Sequence, residues 1–199
     1  MLRIGFDFDN TLVNYDEIFY KLALERDLIH DDIEKNKIGV RNYLRAAGKD
    51  EVFTLMQGEV YGKKILDITP SSELINVLKV LRKNGHELFI ISHKTRTPFL
   101  GPNYDLHAAA MKWLEVNNFF NKNGPNFKYE NVFFEETMEK KIERISSLSC
   151  DVFIDDLPEV LEQLDEKIEC IYYNVSDNTS KTNLLSISEW QNLIIIIEN

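Results

Sequence analysis

Leu2-Arg3-Ile4-Gly5-Phe6-Asp7-Phe8-Asp9-Asn10-Thr11-Leu12-Val13 begins as a β-forming, mostly apolar run and then breaks into two carboxylates. Residues 2–8 predict a buried strand. Asp7 and Asp9 fall at its carboxyl end.

The pattern then changes. From Tyr15 the apolar residues Ile18, Phe19 and Leu22 take helical spacing. A second helix is predicted over about 33–47, stopped by Gly48. A third follows Asp50, read as its N-cap, and carries Val52, Phe53, Met56 and Val60. Residues 15–66 are therefore read as a small helical insertion, with 1–14 and 67–199 forming one α/β domain.

Pro70 and Ser71 open a further helix with Leu74, Leu78 and Leu81 on one face, ended by Asn84-Gly85. Glu87 to Ser92 is a second buried strand. Residues 93–104, with two prolines and a glycine, predict a loop longer than a simple connection needs. Asp105 caps a helix carrying Leu106, Ala110, Trp113 and Leu114. Val132 to Phe134, Asp151 to Asp155 and Lys167 to Tyr173 read as strands, with a helix at about 137–148. Residues 188–197 fit helix or strand. Strands alternating with helices predict a doubly wound, three-layer parallel sheet, and such sheets bind ligands beyond the carboxyl ends of their strands.

Composition narrows the function classes. Twenty-three Lys and Arg against 33 Asp and Glu give a net charge of −10. That field repels nucleic acid, which is not expected as a partner, while a local cation can still admit a small anionic substrate. The 44% hydrophobic content suits a packed globular core. The longest apolar run near the end, Leu193 to Ile197, is far short of the ~20 residues of a membrane helix. Cys150 and Cys170 form no C-x-x-C pair, and free thiols in the cytoplasm are expected.

Asp7, Asp9, Asp155 and Asp156, together with Ser92, converge on one sheet edge in this scheme. Close carboxylates repel one another, and a hard divalent ion such as Mg2+ relieves that repulsion. It also eases the approach of an anionic nucleophile to phosphate. An aspartate can attack phosphorus, and a second carboxyl can move the proton. Lys140 and Lys141 lie on the helix before the last of these strands. Its apolar stripe is Met138, Ile142, Ile145 and Leu148, and at 100° per residue Lys141 falls on that stripe while Lys140 points nearly opposite. Lys141 is therefore the lysine predicted to reach the site.

Together these residues resemble the haloacid dehalogenase-like (HAD) hydrolase superfamily along nearly the whole chain. Asp7 to Val13 resembles its first motif, Ile90-Ile91-Ser92 its second, Lys141 its third and Phe153-Ile154-Asp155-Asp156 its fourth. The insertion at 15–66 lies where many members carry a helical cap. The resemblance implies that Asp7 attacks phosphorus and binds Mg2+. It implies that Asp9 is the general acid and base and offers its carbonyl to the metal. Ser92 and Lys141 would bind the phosphoryl group, Asp155 the metal directly and Asp156 the metal through water. Asn10, Thr11, His93, Lys94 and Arg96 are the candidate substrate contacts.

The expected activity is hydrolysis of a small phosphate monoester. Asp9 favours this over dehalogenation or phosphonate cleavage, where the family lacks an aspartate at that position. A phosphomutase or other phosphotransferase shares every motif present. A non-catalytic binding protein on the same fold is the alternative of another class, but such proteins usually lose an essential group and none is missing here.

Overall fold

The computed structural model describes residues 1–174 and 183–198. It divides into two compact units, one of residues 1–12, 70–94 and 115–199, the other of 13–69 and 95–114.

The first unit is built on a six-stranded, wholly parallel sheet. Its strands are β1 (Arg3–Phe6), β2 (Glu87–His93), β3 (Val132–Glu135), β4 (Val152–Asp155), β5 (Glu169–Tyr173) and β6 (Leu185–Ile187), in the order β3-β2-β1-β4-β5-β6. The chain winds outward from β1 in both directions. The winding reverses between β1 and β4, the point where open α/β sheets present their ligand crevice.

The helices are α1 (Asp16–Glu25), α2 (Lys37–Ala46), α3 (Asp50–Gly62), α4 (Ser72–Lys83), α5 (Leu106–Val116), α6 (Met138–Ser147), α7 (Pro158–Leu161) and α8 (Trp190–Glu198). On one sheet face Phe89, Ile91 and Phe153 pack with Ile145 of α6 and Val160 and Leu161 of α7. On the other, Phe6 lies 6.3 Å, centroid to centroid, from Trp190 of α8. Both faces of the sheet are thus covered, as its apolar strands require. Gly5 serves this packing. It pairs in register with Phe89 and Phe153, and a Cβ on it would come within 2.5 Å of the Phe153 ring.

Local chemistry accounts for the helix ends. Ser71 accepts from the Leu74 N–H, and Thr137 from that of Lys140, so both side chains cap their helices. Asp105 accepts from the Ala108 N–H and caps α5 as expected. Asp50 does not cap α3: Lys49 occupies the cap position, and Asp50 and Glu51 lie in the first turn, where the helix dipole favours acids. Residues 190–198 form a helix. Trp190 and Leu193 are buried on one side, and the Glu198 carboxylate accepts from Asn84.

The second unit holds α1, α2 and α3 around Phe19, Val40, Leu44, Phe53 and Met56, with Phe19 and Phe53 stacked at 5.4 Å. The sequence pattern places the end of this insertion at residue 66 and assigns 95–114 to the α/β domain. The structure instead packs that stretch onto α3. Gly58 lies against Pro98 and Gly62 against Tyr104, each so close that a Cβ would fall 2.8 and 2.5 Å from the neighbour. The Trp113 indole N–H donates to the Ile68 carbonyl. Among the described residues, no helix is long and apolar enough to cross a membrane.

Candidate active site

Asp7 follows β1, and its backbone N–H donates to the Ile154 carbonyl at 2.9 Å, so the β1–β4 pairing continues through it. Asp155 ends β4 one residue after Ile154, the partner of Phe6. The two carboxylates therefore emerge side by side from adjacent strands. Asn10 then takes φ 59, a left-handed conformation that Asn adopts more readily than most residues, and the chain turns away from the strand.

Two side chains and one backbone N–H converge on this pair. Ser92, at the end of β2, donates its hydroxyl to Asp7 Oδ1 at 2.8 Å. Lys141 Nζ donates to Asp7 Oδ1 and to Asp155 Oδ2, both at 2.6 Å. The Leu157 backbone N–H donates to Asp155 Oδ1 at 3.0 Å. Ser92, Lys141 and Asp155 are buried, as is Asp7. The inward position of Lys141 follows from α6's apolar stripe, and Lys140 is solvent-exposed.

Carboxylate oxygens of Asp7, Asp155 and Asp156 lie within 4.8 Å of one another. Burial pushes the Asp7 carboxyl above its ordinary range, against the pull of Lys141. Burial and the nearby Asp7 push Asp155 up as well. Burial alone would lower Lys141, but Asp7 and Asp155 hold its ammonium above the usual lysine range. The Lys141 ammonium thus pairs with two of these three carboxyl groups. This excess of hard oxygen donors fits a divalent cation of the magnesium kind.

The remaining expected residues have varied places. Thr11 is buried, and its hydroxyl points to Asp156 Oδ1 in a long contact of 3.4 Å. His93 is exposed at the end of β2. Arg96 belongs to the second unit and pairs with Asp105 there, at 3.1 Å. Lys94, expected as a substrate contact, is buried and donates to both oxygens of Asp9, at 2.8 and 2.7 Å. That pairing escapes the sequence, because a lysine in a loop-like stretch carries no periodic signal. The Asp9 side chain is therefore held by Lys94 and stands outside the trio of carboxylates near Asp7. Cys150 and Cys170 are free.

No family model matches the chain. Two curated relatives span it almost completely. A Bacillus cereus protein that bears the name "Putative nucleotidase" is 25% identical over 207 residues, covering 99% of this chain and 98% of its own length. An Oceanobacillus iheyensis protein of the same name is 26% identical over 208 residues, covering 98% of each. Among solved structures, a HAD-superfamily hydrolase from Ehrlichia chaffeensis superposes with a TM-score of 0.57 at 14% identity, covering 99% of this chain and 97% of that one. A HAD phosphatase from Thermococcus onnurineus gives 0.54 at 15% identity, covering 99% and 98%. A Bacillus subtilis HAD hydrolase described as bound to magnesium gives 0.55 at 14% identity, covering 100% and 99%. With its parallel sheet and the strand-end carboxylates at the point where the winding reverses, the chain has the fold of the haloacid dehalogenase-like hydrolases.

Proposed function

We propose that the chain is a Mg2+-dependent phosphate monoester hydrolase with Asp7 as nucleophile and Asp9 as general acid and base. The observation that supports this most is the fixing of Asp7 Oδ1 by two donors, Ser92 and Lys141, beside the carboxylates of Asp155 and Asp156.

In the first half of the reaction a carboxylate oxygen of Asp7 bonds to phosphorus as the ester P–O bond breaks. The leaving oxygen keeps the electron pair and takes the proton of Asp9. In the second half water attacks phosphorus and gives a proton to Asp9. Inorganic phosphate leaves and the Asp7 carboxylate is restored. Lys141 and Ser92 stabilise charge on the phosphoryl oxygens as it develops. Asp7, Asp155 and Asp156 would hold the cation, with the Asp9 carbonyl, and when bound it offsets the negative charge between nucleophile and phosphate.

The second unit, 13–69 with 95–114, serves as the substrate-selecting cap in this reading. The substrate is a small phosphorylated metabolite, and the names of the two relatives make nucleoside monophosphates the first class to try. The free thiols favour a cytoplasmic setting.

The test is turnover of p-nitrophenyl phosphate and a panel of phosphate esters with Mg2+. Hydrolysis that EDTA stops and Asp7→Asn abolishes is expected. Full turnover by Asp7→Asn overturns the mechanism.

A further inference from the structure

We infer that Lys94 is a positioning residue for Asp9, holding the proton-transferring carboxyl in one orientation, and is not a contact for the substrate. This rests on the proposed role of Asp9.

The geometry repeats itself along two neighbouring chain segments. Ser92 bonds Asp7, and two residues further on each segment Lys94 bonds Asp9. Both pairs have the same sequence separation, 85. Side chains two apart on a strand share a face, so the β2 residue that fixes the nucleophile is followed by one that fixes the acid and base. The two rungs have different chemistry. A neutral hydroxyl meets Asp7, while a full positive charge meets Asp9.

Lys94 has little freedom to do anything else. Its backbone N–H donates to the Glu135 carbonyl at 2.8 Å, which extends the β2–β3 pairing to the root of the side chain. Its side chain is 2% exposed, against 20% for that of Asp9. Its ammonium stands 5.4 Å from the centre of the Phe8 ring. That ring is itself set edge-on against Phe134, with centroids 5.5 Å apart. A lysine so enclosed reaches its partner along one path. Leaving Asp9 would part a buried ammonium from the carboxylate that it meets with both oxygens.

The contact is compatible with both halves of the reaction. One ammonium reaches both carboxyl oxygens and so sets the plane of the group. While Asp9 carries its proton on one oxygen, the other still accepts from Lys94. When the proton passes to the leaving oxygen, both accept again. Lys94 donates no proton and forms no bond to phosphorus. Its effect is to aim Asp9, and misaiming a proton donor costs rate.

The experiment compares kcat/KM, which reads the transfer to Asp7, for substrates whose leaving oxygens need a proton to different degrees. The Mg2+-loaded protein is assayed on an alkyl phosphate, p-nitrophenyl phosphate and acetyl phosphate. The variants are Lys94→Met, Lys94→Gln, Lys94→Arg, Asp9→Asn and the double variant Lys94→Met/Asp9→Asn. Circular dichroism checks each fold, and Lys94→Gln replaces Lys94→Met should the latter not fold. Removing the lysine is expected to lower kcat/KM on the alkyl phosphate by about 100-fold, the lower end of general acid–base contributions. The loss on acetyl phosphate, whose leaving group departs without a proton, is expected to be far smaller. Lys94→Arg should recover part of the loss. On p-nitrophenyl phosphate the lysine substitution should cost nothing further once Asp9 is Asn, because residues acting as one unit are not additive.

An equal loss on all three substrates, with a raised KM that persists in the Asp9→Asn background, overturns the inference in favour of direct substrate contact. No loss at all overturns it too. In both cases Asp7- and Asp9-dependent turnover by the unsubstituted protein leaves the proposed function standing. Absence of that turnover removes the proposed function and this inference with it.

Discussion

The ammonium of Lys141 lies 2.6 Å from Oδ1 of Asp7, although 134 residues separate the two in sequence. The same ammonium lies 2.6 Å from Asp155 Oδ2. A single buried cation therefore joins the carboxyl ends of β1 and β4. Lys141→Met should leave two buried carboxyls without it. Breaking a buried pair this way costs about 3–5 kcal/mol, so urea unfolding without Mg2+ should show a markedly lower midpoint. Adding Mg2+ should recover part of the loss, because the cation supplies the missing charge. An unchanged midpoint would mean that Lys141 does not carry this charge balance.

The carboxylate trio should respond to metal in the absence of any substrate. Mg2+ at about 100 times its Kd should stabilise the protein by about 2.7 kcal/mol by mass action. A thermal melt reads this as a higher Tm. Asp155→Asn should abolish the shift, since its oxygen lies among those within 4.8 Å of one another. Asp156→Asn should reduce it less, in keeping with a ligand that acts through water. An undiminished shift in Asp155→Asn would place the metal elsewhere.

Gly5 sets how closely β4 approaches β1. A Cβ there would lie 2.5 and 2.8 Å from two ring atoms of Phe153 and 3.3 Å from the Cys150 sulfur. Overpacking of this kind costs about 1–3 kcal/mol. Gly5→Ala should therefore lower stability by that order in denaturant titration. It should also lower activity, because the shift falls two residues from Asp7. A Gly5→Ala protein as stable as the parent would show that the Phe153 ring can move aside.

Burial pushes the Cys150 thiol up to about 12. Burial pushes Cys170 up as well. The reactive form is the thiolate, and a raised value keeps the thiol protonated at every pH below it. At pH 8 iodoacetamide should label native Cys150 very slowly, and Cys170 more slowly than an exposed cysteine. In urea both should label quickly. Intact-protein mass spectrometry distinguishes the two states.

Much of this is written in the sequence where periodicity is strong. The apolar run before Asp7, the stripe that turns Lys141 inward and the helix starts at Ser71 and Asp105 each leave a local pattern. Short elements leave none. β6 is only Leu185–Ile187, and α7 is a single turn starting at Pro158. Residues 190–198 are rich in isoleucine, which suits strand or helix, and tertiary contacts to Asn84 and His86 settle the helix. The partner of residues 95–114 is also illegible. It depends on Gly58 and Gly62 admitting Pro98 and Tyr104, a matter of missing atoms rather than of pattern. Lys94 is the sharpest case. Its charge suggests a ligand for phosphate, while its place at the end of β2 delivers it to Asp9.

Asp7 is expected to carry the phosphoryl group during turnover. The most direct measurement is a rapid acid quench of the Mg2+-loaded protein turning over radiolabelled acetyl phosphate, followed by peptide mapping. Label that is cleaved by hydroxylamine, resides on the peptide containing Asp7 and is absent from Asp7→Asn is the predicted result. Label on another residue, or steady turnover by Asp7→Asn, would contradict it.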